Sequence, residues 1–236
     1  MIKKVILILF APVFLFFTCQ PTEQNDQKKE AVSAETKKEN TKVMKKETSD
    51  LSQYGISKES HNAVNPLEVG SMAPAFSAKD QNKKDVDLDM LTANGSAVLV
   101  FYRGFWCPYC TRHLATFADK LKELQDAGTQ VVAIAPEGPD GIQKSIDKTK
   151  LNIPFISDPN GEIMNKYGVG FKVNDMYQEK FKNFKGTTLE EVNGQTEPML
   201  PVPATYVIGK DKKVKWVHFD PNYRERSAID EIVKAL

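Results

Sequence analysis

Ala97-Val98-Leu99-Val100-Phe101-Tyr102-Arg103-Gly104-Phe105-Trp106-Cys107-Pro108-Tyr109-Cys110 decides the fold. Its first six residues are continuously apolar, the mark of a strand covered on both faces. A Cys-x-x-Cys pair follows at once. Leu114, Phe117, Ala118, Leu121 and Leu124 then recur at helical spacing, and Gly128 closes the stretch, which predicts one helix through Ala127. A cysteine pair at this junction has a physical logic. The unpaired N–H groups and partial positive charge of a helix N-terminus stabilise a thiolate, and a second cysteine one turn away can resolve a mixed disulfide. Pro108 suits the first helical turn, where its missing N–H costs nothing, and Trp106 would shield one side of the pair.

Downstream of that junction, 130–135 reads as a second buried strand, 139–150 as a helix, 153–157 as a third strand and 161–167 as a short helix. Residues 173–199 are less regular and read as a helix followed by a loop. Strands over 205–208 and 213–219 are joined by the turn chemistry of Gly209-Lys210-Asp211-Lys212, and 226–236 closes as a helix. The order predicts an α/β layer fold, with parallel crossovers in the first half and an antiparallel pair completing a mixed sheet. It resembles the thioredoxin fold, which implies a central mixed sheet with helices on both faces.

Upstream, the chain changes character twice. Lys3 and Lys4 precede an apolar run from Val5 to Phe17, interrupted by Pro12. That run is shorter than the ~20 residues a membrane-crossing helix needs and suits a secretory h-region. Phe16-Phe17-Thr18-Cys19 resembles the lipobox of bacterial lipoproteins, which implies lipidation of Cys19 and a membrane-anchored protein facing the periplasm or cell envelope. An uncleaved anchor and a plain signal peptide are the alternatives. Residues 20–66 are Lys, Glu, Thr, Ser, Gln and Asn with few apolar anchors, and read as a disordered tether. The chain therefore divides into a signal peptide over 1–19, a tether over 20–66 and one domain over 67–236.

Composition narrows the function classes. A net charge of +1 offers no basic face for nucleic acid, and three cysteines are too few for a disulfide scaffold, so their chemistry is local. Cys107, Cys110 and His113 also have a metal-ligand spacing, with His218 as a conceivable fourth ligand, so a metal-holding or binding module is the alternative to redox chemistry. His113 otherwise reads as a helix-surface residue. Arg103 and Arg112 could add positive charge near a thiolate. Arg224 and Arg226 read as solvated surface, with an anion or partner site as the alternative.

Gly70-Ser71-Met72-Ala73-Pro74-Ala75-Phe76 resembles the opening shared by peroxiredoxins and membrane-tethered thioredoxin-like reductases. The segment Phe101 to Cys110, Pro201-Val202-Pro203-Ala204-Thr205-Tyr206-Val207-Ile208 and Asp220-Pro221-Asn222-Tyr223-Arg224 are similar to the peroxiredoxin-like branch of the alkyl hydroperoxide reductase/thiol-specific antioxidant (AhpC/TSA) family. The resemblance implies a thiol-based antioxidant oxidoreductase. It would need no cofactor, and would take electrons from a thiol donor such as a thioredoxin-like protein to reduce hydroperoxides or protein disulfides. The chain departs from the family pattern at its diagnostic positions. Cys110 aligns with the peroxidatic cysteine, but Cys107 stands where a Thr holds the peroxide, Arg103 where a Pro is usual, and Pro203 where a later-strand Arg is expected. Thioredoxins carry a cis-proline at that last position, and Val202-Pro203 fits that role, a trans bond ending a loop being the alternative. By thioredoxin logic Cys107 attacks and Cys110 resolves; by peroxiredoxin logic the roles reverse.

Overall fold

The computed structural model describes residues 41–43 and 51–236. The signal peptide read over 1–19, Cys19 and the tether to residue 50, apart from Thr41–Val43, lie outside the described residues.

The central sheet is built on β4 (Ala97–Phe101), β5 (Gln130–Ala135), β6 (Phe155–Ser157), β9 (Ala204–Ile208) and β10 (Val214–Phe219). Its order is β10-β9-β4-β5-β6, with β1 (Thr41–Val43) added outside β10. β4, β5 and β6 run parallel, while β9 pairs antiparallel with both β4 and β10. Every residue of β4 and β9 is buried, so both faces of the sheet centre are covered. The mixed α/β architecture agrees with the sequence reading.

Two small two-stranded sheets accompany the main sheet. β2 (Ser77–Lys79) pairs with β3 (Asp85–Asp87), leading into α1 (Leu88–Thr92), and β7 (Gly170–Lys172) pairs with β8 (Met199–Pro201). Three-residue strands carry too little alternation to announce themselves in sequence.

The helix expected through Ala127 is two: α2 (Pro108–Thr116) and α3 (Leu121–Asp126). The Thr116 hydroxyl donates to the His113 carbonyl at 2.7 Å, and the Phe117, Ala118 and Lys120 amides bond to carbonyls three residues back. That side-chain competition for a backbone acceptor tightens the turn. Phe117 is fully buried as a result, whereas Ala118, at the same expected stripe, is exposed. α4 (Pro139–Thr149) packs against α2, and α5 (Glu162–Lys166) follows β6. The irregular stretch holds two helices rather than one, α6 (Asp175–Lys185) and α7 (Leu189–Asn193). The chain ends in α8 (Ile229–Lys234).

The start of the domain is earlier than residue 67. Residues 51–66 lie on the β7 edge: Ile56 is fully buried and bridges Val173, the Ser57 amide donates to the Lys172 carbonyl at 2.9 Å, and Asn174 Nδ2 donates to the Ser52 carbonyl at 2.8 Å. Burying one isoleucine side chain contributes about 1.5–3 kcal/mol, and the edge strand satisfies the polar backbone. Leu51, Ile56 and Val64 are single anchors without a period, which is why the segment looks like a tether.

Candidate active site

β4 aims the chain at the site. Tyr102 extends the strand by one amide, donating to the Ile134 carbonyl at 3.0 Å, and the chain then turns at Gly104, whose φ is +146°. A Cβ there would sit 2.5 Å from Trp106 Nε1, so only glycine fits. The Cys107 amide closes the turn on the Gly104 carbonyl at 3.1 Å. Cys107 is then the N-cap of α2 and Pro108 its first residue, as the sequence predicts.

A buried carboxylate that sequence reading missed pins this loop. Glu137, two residues past β5 and without solvent exposure, accepts the Phe105 amide at 2.6 Å, the Tyr102 hydroxyl at 2.9 Å and the Ser145 hydroxyl at 2.8 Å. Burial raises its pKa, and those three donors work against the rise. The only hint in the sequence is an acidic residue two positions beyond the apolar run Val131–Ala135.

Both cysteines are reduced and buried, Cys110 entirely. Cys107 Sγ accepts the Cys110 amide at 3.4 Å, the helix-terminus contact expected from the motif. The charge nonetheless favours the other sulfur. Arg226 Nη2 donates to Cys110 Sγ at 3.3 Å. Burial alone would raise the Cys110 pKa, but a hydrogen bond from Cys107 and the Arg226 and Arg103 guanidinium groups hold it at about 5. Cys107, which gives that hydrogen bond and is itself buried, is pushed well above the usual thiol range. Cys110 is the thiolate and Cys107 the thiol.

The sequence alone suggests solvated surface for Arg226, with an anion or partner site as the alternative. Its neighbour Ser227 explains the difference: Ser227 Oγ lies 3.0 Å from His113 Nε2 and donates to Thr205 Oγ1 at 3.1 Å. This clip between α2 and β9 holds the segment against the pair and delivers the guanidinium. His113 is therefore not a surface residue. Burial first, then the Arg226 and His218 charges, lower its pKa to about 3, so its imidazole is neutral. With Nε2 engaged by Ser227, His113 does not join the cysteines as a ligand. Among the described residues, no group of three His, Cys, Asp or Glu is placed to hold a metal ion.

Arg103 does reach the pair. It is 4% exposed, with its guanidinium carbon 4.1 Å from the Tyr223 ring centroid, 5.1 Å from Trp106 and 5.3 Å from Tyr177, and it donates to the Tyr177 hydroxyl. Arg112 instead lies exposed over the Tyr109 ring. Trp106 is buried, donates through Nε1 to Asn193 Oδ1 at 2.9 Å, and meets Phe181 edge to face at 4.8 Å. Tyr177, Phe181 and Asn193 all come from the segment that sequence read as a helix and loop. They make it one wall of the site.

Pro203 corrects a second expectation. All described peptide bonds are trans, including Val202–Pro203. Pro203 is a buried connector between β8 and β9, where the Val202 amide donates to the Val169 carbonyl at 2.8 Å. The chain arrives there from β8, which pairs antiparallel with β7, and Pro203 follows that strand in the ordinary trans geometry.

A buried thiolate under two guanidinium groups, at the start of a helix that follows a central strand, defines a thiol oxidoreductase on a thioredoxin-like fold. The chain belongs to the AhpC/TSA family, whose model matches residues 69–217. It is 36% identical over 107 residues to a putative peroxiredoxin bcp of Haemophilus influenzae, covering 45% of this chain and 68% of that one. It is 28% identical over 158 residues to peroxiredoxin Bcp of Escherichia coli, covering 66% and 88%. Among solved structures, peroxidoxin BcpB of Mycobacterium tuberculosis superposes with a TM-score of 0.54 at 24% identity, over 72% of this chain and 94% of that chain. The protein is a thiol peroxidase-type oxidoreductase of this family.

Proposed function

We propose that the enzyme reduces hydroperoxides through a disulfide cycle in which Cys110 attacks and Cys107 resolves. The observation that carries this reading is the Arg226 contact with Cys110 Sγ at 3.3 Å. The Cys110 thiolate attacks the terminal peroxide oxygen, the O–O bond breaks, and the leaving alkoxide or hydroxide takes a proton. Cys110 is thereby oxidised to the sulfenic acid. The Cys107 thiol then attacks that sulfur, water leaves, and a Cys107–Cys110 disulfide remains. Two equivalents of a donor thiol return the pair to the reduced state. Reduction of protein disulfides is the second reading, favoured by one observation: Cys107 lines an open cavity, as an attacking sulfur in thioredoxin logic must.

Peptide mapping after one equivalent of hydrogen peroxide tests the cycle. The expected product is a Cys107–Cys110 disulfide. A sulfenic acid that persists on Cys110 and is trapped by dimedone in the unaltered chain contradicts Cys107 as the resolving residue.

The same proposal places the domain at a membrane surface through a lipid on Cys19. Its support is the sequence alone, Lys3 and Lys4, the apolar run and Thr18-Cys19. Among the described residues no helix is long and apolar enough to cross a membrane. Metabolic labelling with a radioactive fatty acid should mark the wild-type chain and leave Cys19→Ser unlabelled. Equal labelling of both, or of neither, removes the anchor.

A further inference from the structure

We infer that the cavity over Cys107 is the entry site for the reducing thiol, and that it takes a small thiol with an apolar body and a negative charge. The inference rests on the disulfide cycle proposed above and adds the chemistry of its reductive half.

The cavity holds about 580 Å³, within the range of small-molecule sites. Cys107 is among its lining residues and Cys110 is not, both being buried, so an occupant lies on the Cys107 side of the pair. Its walls include the rings of Phe105, Phe181 and Phe184, and Phe184 is left 82% exposed at the mouth. The charges on its wall are all of one sign. Lys148, Lys180 and Lys185 line it beside Arg103, with no carboxylate among the lining residues. None of the three lysines is ion-paired to a described residue. Lys148 Nζ instead donates to the Phe105 carbonyl at 3.1 Å and lies 5.2 Å from its ring, and Lys185 lies 5.1 Å from Phe184. Aromatic faces bordered by uncompensated ammonium groups match an amphipathic anion.

The chemistry agrees with the access. An entering thiolate attacks Cys107 Sγ of the disulfide, the S–S bond breaks, and Cys110 leaves as a thiolate beside Arg226. Cys110 is the better leaving group of the two, because low-pKa thiols leave faster. A second thiol attacks the sulfur of the bound donor, Cys107 is released and takes a proton, and two donor thiols end as one disulfide.

The test uses the full chain carrying Cys19→Ser and Cys110→Ser, which leaves Cys107 as the sole thiol of three. Its reaction is timed with 5,5′-dithiobis(2-nitrobenzoate), an anionic aromatic disulfide, and with uncharged 2,2′-dithiodipyridine. Each rate is divided by that of N-acetylcysteine amide. The expected preference for the anion is about tenfold; it falls by about tenfold in Lys180→Glu/Lys185→Glu and fades at about 1 M salt. Lys122→Glu, an exposed lysine away from the cavity, leaves the preference as it was. Equal normalised rates, or a preference that survives the charge reversal, overturn the inference.

A second measurement needs no Cys110 variant. The oxidised Cys19→Ser chain is reduced with 4-mercaptobenzoate and with thiophenol, followed by tryptophan fluorescence. The carboxylate-bearing thiol should be faster relative to a model disulfide, and parity overturns the inference. Neither experiment involves peroxide. Absent peroxide reduction therefore defeats the proposed function while the anion preference stays readable, and a lost preference with peroxide reduction intact defeats only the cavity assignment.

Discussion

Cys110→Ser should abolish rapid peroxide consumption, while Cys107→Ser should keep the first turnover and lose the following ones. The Cys110 thiol is held at about 5 and is almost wholly ionised at pH 7. Cys107 is pushed far above the ordinary thiol value and stays protonated. Since only thiolates attack, ionisation alone separates the two by more than about a hundredfold at pH 7. Stopped-flow mixing of each reduced variant with hydrogen peroxide reads the difference directly. In Cys107→Ser carried on Cys19→Ser the oxidised Cys110 has no other thiol in the chain, so a sulfenic acid should accumulate stoichiometrically and be captured by dimedone. The opposite pattern, fast peroxide reduction in Cys110→Ser and none in Cys107→Ser, would make Cys107 the nucleophile and sink the assignment.

Arg226→Gln should slow the reaction with peroxide by between about tenfold and a hundredfold at pH 7. Burial of Cys110 works to raise its pKa, and the Cys107 hydrogen bond with the Arg226 and Arg103 charges overcomes it. Removing one guanidinium tips that balance toward the thiol. The thiolate fraction at pH 7 then falls, and the midpoint of the rate–pH profile moves up from about 5 toward the ordinary thiol value of 9.0. At pH values above the new midpoint the variant should approach the wild-type rate. Arg226→Lys keeps the charge without the planar fork and should fall between the two. An unmoved profile in Arg226→Gln would assign the low pKa to Arg103 and Cys107 alone.

Both predictions turn on a residue that a linear reading passes over. Arg226 lies 116 positions from Cys110 in a polar stretch, and its role follows from the Ser227 contacts with His113 and Thr205. Glu137 is similar: its three donors come from Tyr102, Phe105 and Ser145, and only the folded sheet gathers them around one carboxylate. The segment at 173–199 shows the same limit. Two helices separated by Gly186 carry Tyr177, Phe181 and Asn193 to Arg103 and Trp106, contacts that no period in the sequence encodes.

What the sequence by itself determined is what short-range physics governs. The apolar run at Ala97–Phe101 could only be a covered strand, the cysteine pair followed it onto a helix start, and Pro108 took the first helical position. The strands around Gln130–Ala135, Ala204–Ile208 and Val214–Phe219 were legible for the same reason. Only the tertiary structure decided which cysteine carries the charge. Local logic favours Cys107, the N-cap sulfur facing a helix N-terminus. The hydrogen bond from Cys107 and two guanidinium charges, Arg103 from the same loop and Arg226 from 116 positions away, act in a buried site where screening is weak, outweigh that partial charge and favour the thiolate on Cys110.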